Sequence, residues 1–465
     1  MKKLFAAIFL LVSVSFMSSV AAASVKVSFK IDMKDAKIKD PKSVGISGDI
    51  EPLSWKKLYL LTDPDNDGIY TGDIIFNDAN KIEFKFRHDD IWERGDNRSV
   101  ILKGKTSEII TEIWNVQAFV GFFNYTFEGK IIPMQERMRL GEQPANGISL
   151  CVMRDGKLDT LANWGERDAE KKLLVDAKTL FQTGGVGQPI IAFAVLRAAE
   201  LKDIDLDKPI NNYLKKWKFP LKKGENESKT TTRDIIIGNV SFGSKSKPDG
   251  YEMGKALPNI VQILNGESPS QESKLKIVET PNFSFYVPLI LQVLLEDVYN
   301  LPLNDVMQKL VLAPLSMKES FYATELSEAQ KANFAVGYSK NGKAVKGDYL
   351  RYPEQGFGGL WTTAADYAKV VNCLVKAARG EENSLISQAL AKAALEPTNG
   401  QRPMIFPRND NGQNYFGGAP QGYRTQVEFS VEENWIAVAF MNSWENWRFM
   451  LQVQAKAQEF ATRRK

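Results

Sequence analysis

Between Val25 and Trp114 the apolar residues come in short runs, several alternating with polar ones at the two-residue period of a half-buried strand. The runs are Val25 to Ile31, Ser43 to Ile46, Ile69 to Phe76, Ile82 to Phe86, Ser99 to Leu102 and Ile109 to Trp114, with turn-forming clusters between them. That spacing predicts antiparallel strands in two packed sheets, a small β-sandwich. Beyond about residue 121 the period lengthens. Pro189 to Leu201, Tyr286 to Val298 and Thr363 to Ala378 carry helical patterns, the last opening with Thr363 and Asp366 in a capping-box arrangement. Strand-like runs at Ile148 to Met153, Thr425 to Ser430 and Ile436 to Met441 lie near both ends of this segment. The order predicts an α/β (α+β) domain in which one antiparallel sheet is built from both ends and helices pack around it.

The N-terminus follows neither pattern. Lys2 and Lys3 precede an apolar run from Leu4 to about Val14, and Ala21, Ala22 and Ala23 supply small residues for cleavage. Residues 1–23 are therefore expected to be a removable export signal, directing the chain to the periplasm or the medium. The apolar run is shorter than the roughly 20 residues that span a bilayer, and no transmembrane anchor is expected. The 465 residues, 43% of them hydrophobic, are too many for one ordinary domain. The expected division is signal at 1–23, sandwich at 24–120 and larger domain at 121–465.

Charge and rare residues narrow the chemistry. A formal charge of +4 set against 60 basic and 56 acidic residues gives no reason to expect a nucleic-acid partner. His88 is the sole histidine, in the charged stretch Arg87-His88-Asp89-Asp90, which reads as surface. Zinc sites and Ser-His-Asp or Cys-His hydrolases rely on a well-placed imidazole, so hydrolysis here would have to work without one. Asp63-Pro64-Asp65-Asn66-Asp67-Gly68 has the acidic spacing of a calcium loop, but Ile74 stands where a bidentate Glu belongs, and a hairpin turn is the better reading. Neither metal nor cofactor is expected. Cys151 and Cys373 could pair in an oxidising compartment or remain buried thiols.

The run Ile82-Glu83-Phe84-Lys85-Phe86, followed by Trp92 and Asn97, with Trp55 upstream, resembles starch- and glycogen-binding carbohydrate modules. The resemblance implies that Trp55 and Trp92 form a glucan platform, with Lys85 and Asn97 holding sugar hydroxyls. Sugar C–H faces stack on flat rings, and polar side chains take the hydroxyls. The other reading makes both tryptophans packing residues and the sandwich a spacer.

Across residues 130 to 465 the order of segments resembles the serine β-lactamase and penicillin-binding-protein-like hydrolases. The matching stretches are Gly147 to Gly156, Leu180 to Thr183, Asp205 to Leu214, Thr232-Arg233-Asp234, Ala313 to Met317, Gly358 to Asp366 and Gly422-Tyr423-Arg424. The resemblance implies a Ser-x-x-Lys pair at the start of the first core helix, where Lys deprotonates Ser. Gly185 and Gln188 stand there instead. The Tyr-x-Asn motif falls on Phe283-Ser284-Phe285, and the His-x-Gly or Lys-Thr-Gly motif on Phe416-Gly417-Gly418, which keeps only the final glycine. A further family His falls on Gly238. No catalytic residue is assigned.

Ser54 with Lys57, Ser244 with Lys247 and Ser273 with Lys276 repeat the Ser-x-x-Lys spacing, but none opens that helix. Thr183, Ser284 and Tyr286 are the nearest hydroxyls to the lost positions. Phe283, Phe285 and Phe416 over glycines would either line a pocket for an apolar or sugar-ring ligand or fill the vacated space. The expected function is an exported, non-catalytic pseudo-hydrolase engaging carbohydrate (α-glucan) or a protein partner. The alternative is an active serine-type hydrolase with a rearranged site.

Overall fold

The computed structural model describes residues 24–33, 43–93, 97–102, 106–113, 125–127, 130–132, 147–222, 224–243, 248–278, 284–339, 342–382, 384–397 and 403–444, with scattered positions from 450 to 462. Internal contacts divide the chain into two compact units, Met1–Asn115 and Val116–Lys465.

The first unit holds β1 (Ser24–Asp32), β2 (Val44–Gly48), β3 (Tyr59–Leu61), β4 (Ile69–Asn77), β5 (Lys81–His88), β6 (Ile91–Trp92), β7 (Arg98–Ile101) and β8 (Ser107–Ile113). Alternation along β1 sends Val25, Val27, Phe29 and Ile31 inward. One sheet runs β4-β1-β8; the other runs β3-β2-β5-β6, with β7 also on β5. Their inner faces meet at Phe29, whose ring lies 5.2 Å from Phe84, 6.4 Å from Phe86 and 6.5 Å from Phe76. Two expectations are corrected. The ladder is not wholly antiparallel: β1 pairs with β8 in parallel, since the first and last strands need no hairpin and the intervening strands supply the crossover. His88 is buried, not on the surface, at 6% exposure, because β5 alternates and places it on the inward face after Phe84 and Phe86. In the turn before β4, the Asp63 carboxylate accepts from the amides of Asp67 (3.1 Å) and Gly68 (2.9 Å). Asp65 and Asp67 gather beside it, with oxygens within 4.8 Å of one another.

The second unit is organised by a six-stranded sheet of β9 (Gly147–Arg154), β10 (Lys157–Asp168), β11 (Leu173–Leu174), β12 (Asn414–Gly418), β13 (Arg424–Ser430) and β14 (Trp435–Met441). Its order is β11-β10-β9-β14-β13-β12, so both ends of the segment meet where β9 pairs with β14, from Ile148↔Met441 to Arg154↔Trp435. These two strands are buried on both faces, which explains why they read as continuous apolar runs. One face packs Ile148, Leu150, Ala437 and Ala439 against Met450, Val453 and Ala457. The other joins the main core with α1 (Gly187–Glu200), α2 (Tyr286–Tyr299) and α3 (Ala364–Ala378).

The expected capping box at α3 forms only by half. Thr363 Oγ1 accepts from the Asp366 amide at 3.1 Å, but the Asp366 carboxylate turns to the Glu319 amide (3.0 Å), Ser320 Oγ (2.9 Å) and Lys369 (2.6 Å). Cys151 and Cys373 are both free and buried, and burial pushes the Cys151 thiol up to about 12. Among the described residues no helix is long and apolar enough to cross a membrane.

Candidate functional site

The chain enters α1 through Phe181 to Val186, and that entry is pinned on both sides. Thr183 donates from both its amide (3.2 Å) and its Oγ1 (3.1 Å) to Leu360 O, while Thr425 Oγ1 on β13 donates to Thr183 O at 2.9 Å. A short 3₁₀ turn, Gly184–Val186, then leads into α1. This arrangement brings Gly185 against the edge strand β12. A Cβ on Gly185 would lie 3.0 Å from Gly417 O, 3.2 Å from Gly418 Cα and 3.8 Å from Gln188 Nε2. A Cβ on Gly418 would lie 3.0 Å from Gly185 N and 2.7 Å from Thr183 O. Backbone therefore lies close to backbone here: a side chain on Gly185 would need β12 to give by a few tenths of an ångström, and one on Gly418 would force a shift.

Gly185, Gln188, Gly417 and Gly418 thus come together in space, with Gln188 half-buried and Gly417 exposed. Two of the aromatic positions are packed against other rings. Phe285 is fully buried in the main core, stacked on Tyr286 at 4.5 Å. Phe416 packs edge-on against Phe406 at 6.3 Å, and Phe406 in turn against Phe429. Phe283 lies outside the described residues, as do Ser244 and Lys247. Gly238, at the place of the further family His, ends a short helix in the left-handed conformation (φ 77°).

The neighbouring hydroxyls are committed to structure. Thr183 is held as above; Ser284 Oγ accepts from the Tyr286 amide at 3.2 Å, and Tyr286 OH donates to Ser273 O. Burial pushes the Tyr286 phenol up to about 12, which removes it as a base near neutrality.

Two buried polar groups carried no signal in the sequence. Gln182 donates through Nε2 to Leu350 O at 2.8 Å, and its Oε1 is buried without a partner. Glu354 is fully buried with both carboxylate oxygens unpartnered, and burial, with Glu272 nearby, raises its carboxyl to about 8. It is a neutral acid at pH 7. A polar cleft of about 350 Å³ opens close by, lined by Asp249, Lys255, Gln271, Leu350, Lys346 and Gln421. Gln421 follows Pro420, whose ring occupies the space where a Cβ on Gly184 would lie.

In the first unit the structure joins Trp55 and Trp92, with ring centroids 6.2 Å apart and planes inclined by 49°. Trp92 is 37% exposed and pairs across the ladder with Arg87, whose guanidinium lies over its ring at 5.1 Å. Lys85 is half-buried two positions earlier on the same outward face of β5, and Asn97 is exposed just before β7.

Comparison with known proteins follows the fold of the second unit. An octameric penicillin-binding protein homologue from Pyrococcus abyssi is 17% identical, with a TM-score of 0.53 over 70% of this chain and 76% of that one. FmtA from Staphylococcus aureus is 16% identical, with a TM-score of 0.54 over 70% of this chain and 87% of its own. A class C β-lactamase is 17% identical, with a TM-score of 0.53 over 71% and 95%. At such identities the likeness is one of fold. The Beta-lactamase family model matches residues 133–458, and the chain belongs to that family. No curated protein matches it.

Proposed function

We propose that this chain is an exported, non-catalytic member of the Beta-lactamase family, a carbohydrate-binding protein whose first unit is a sandwich that recognises α-glucan. Export rests on Lys2, Lys3, the apolar run from Leu4 and the alanines at 21 to 23. The loss of catalysis rests on Gly185 and Gln188, which offer neither nucleophile nor base, in a spot where β12 crowds a side chain.

The observation that carries the binding role is the Trp55–Trp92 pair at 6.2 Å, two large rings buried only in part, with Lys85 on the outward face of β5. Rings buried only in part, at the surface of a unit that already has its own core, suit stacking on sugar better than packing. The test is retention on immobilised α-glucan. Wild-type protein is expected to be retarded, and Trp55→Ala and Trp92→Ala to elute with the void; unchanged elution of the variants would remove the platform. The same preparation, treated with a serine-reactive fluorophosphonate or a fluorescent penicillin, is expected to keep its intact mass. A stoichiometric adduct would instead favour the hydrolase alternative.

A further inference from the structure

The first unit contains two arginines whose surroundings contrast. Arg98 is 2% exposed and neutralised by Glu93, with Nε at 2.9 Å from one carboxylate oxygen and Nη2 at 2.6 Å from the other. Arg87, half-buried on β5, meets the face of Trp92 at 5.1 Å, its Nε is buried without a partner, and among the described residues it pairs with no carboxylate. A guanidinium partly removed from water without a counter-charge is an unfavourable arrangement unless something anionic completes it. The arrangement lies inside the aromatic platform, since Trp92 touches both Arg87 and Trp55.

From this we infer that the platform takes a sugar bearing an anionic group, a carboxylate or a phosphate ester, in preference to a neutral glucan. The ring stacks on the tryptophans, and the anionic oxygens accept from the free edge of Arg87 in a charge-assisted, two-pronged contact. Arg87 fits this role better than a lysine would, because its planar donor edge can face the anion while its π-face stays on Trp92. The inference rests on the carbohydrate reading and adds the charge of the ligand to it.

The experiment compares three probes by titration calorimetry on the full protein: a neutral malto-oligosaccharide, the same oligosaccharide carrying a phosphate monoester, and an oligogalacturonide. One or both anionic probes are expected to bind about tenfold tighter than the neutral one at low salt. Which of them does so separates phosphate from carboxylate. The advantage should shrink as salt rises, disappear in Arg87→Gln, and survive in part in Arg87→Lys. Trp92→Ala should weaken all three probes. Equal affinity for neutral and anionic probes would overturn the inference while leaving the platform standing, as would an anionic advantage that persists in Arg87→Gln. Failure of every probe to bind would overturn platform and inference together.

Discussion

At the scale of single residues, glycines set the packing where the first long helix of the second unit begins. Gly185 and Gly418 let the start of α1 and β12 touch through their backbones, and Phe285 has joined the core. What the sequence itself shows is that Leu180-Phe181-Gln182-Thr183 leads into a helical run and that Gly185 brings no hydroxyl to its start. Glu354 was not legible. A lone carboxylate in the run Tyr352-Pro353-Glu354-Gln355 shows no period, and its burial is created by elements distant in sequence. Its state leads to a prediction with a definite sign. The carboxyl is raised from 4.5 to about 8 on folding, so between those values the folded state holds a proton that the unfolded chain releases. Stability is therefore undiminished by this group below about 4.5, falls as pH rises toward about 8, and stays lowered above it. Glu354→Gln keeps the neutral shape and should flatten this slope, worth on the order of a few kcal/mol. Urea midpoints at pH 5 and pH 8.5 for both proteins check it. Equal losses in the two would mean that the carboxyl ionises inside the fold.

At the scale of elements, the sequence pattern located most of the strands and the three long helices, because each carries a full apolar face or a continuous buried run. It missed β3, β6 and β11, which have two or three residues and owe their pairing to β2, β5 and β10 rather than to any period of their own, and it missed β10, twelve residues long but without a regular buried alternation. It also over-read the start of α3. Thr363 caps the helix as its residue type demands, but the Asp366 carboxylate has stronger partners in Glu319, Ser320 and Lys369 than the cap amide it was expected to reach. That gives the two residues different roles, cap and cross-link. Thr363→Ala should cost about 1 kcal/mol, the usual value of one lost cap. Asp366→Asn should cost more, because it weakens the tie between α3 and the 319–320 segment as well as a charge pair 5% exposed on its acidic side. Denaturant midpoints rank the two; a Thr363→Ala loss equal to or above that of Asp366→Asn would show that the carboxylate contributes little beyond the cap.

At the scale of the whole molecule, the two units keep their apolar residues in separate clusters. Phe29, Phe76, Phe84 and Phe86 belong to the first, and the residues around α1, α2 and the six-stranded sheet belong to the second. In the sequence the period changes near residue 121, while the meeting of Trp55 with Trp92 was implied only by the resemblance to carbohydrate modules, since side chains so far apart in sequence meet only through the fold. Separate cores imply separate unfolding. Phe29 touches three other phenylalanines across the two sheets, so Phe29→Ala removes the ring on which both inner faces converge. The cost should be roughly 3–5 kcal/mol, a large fraction of what a unit of that size retains. Scanning calorimetry of the full protein should then show one transition moved down by many degrees and the other unmoved, with glucan retention lost as the first unit melts. A variant in which both transitions shift together would mean that the two cores fold as one, and the first unit could not be treated as independent of the Beta-lactamase fold that follows it.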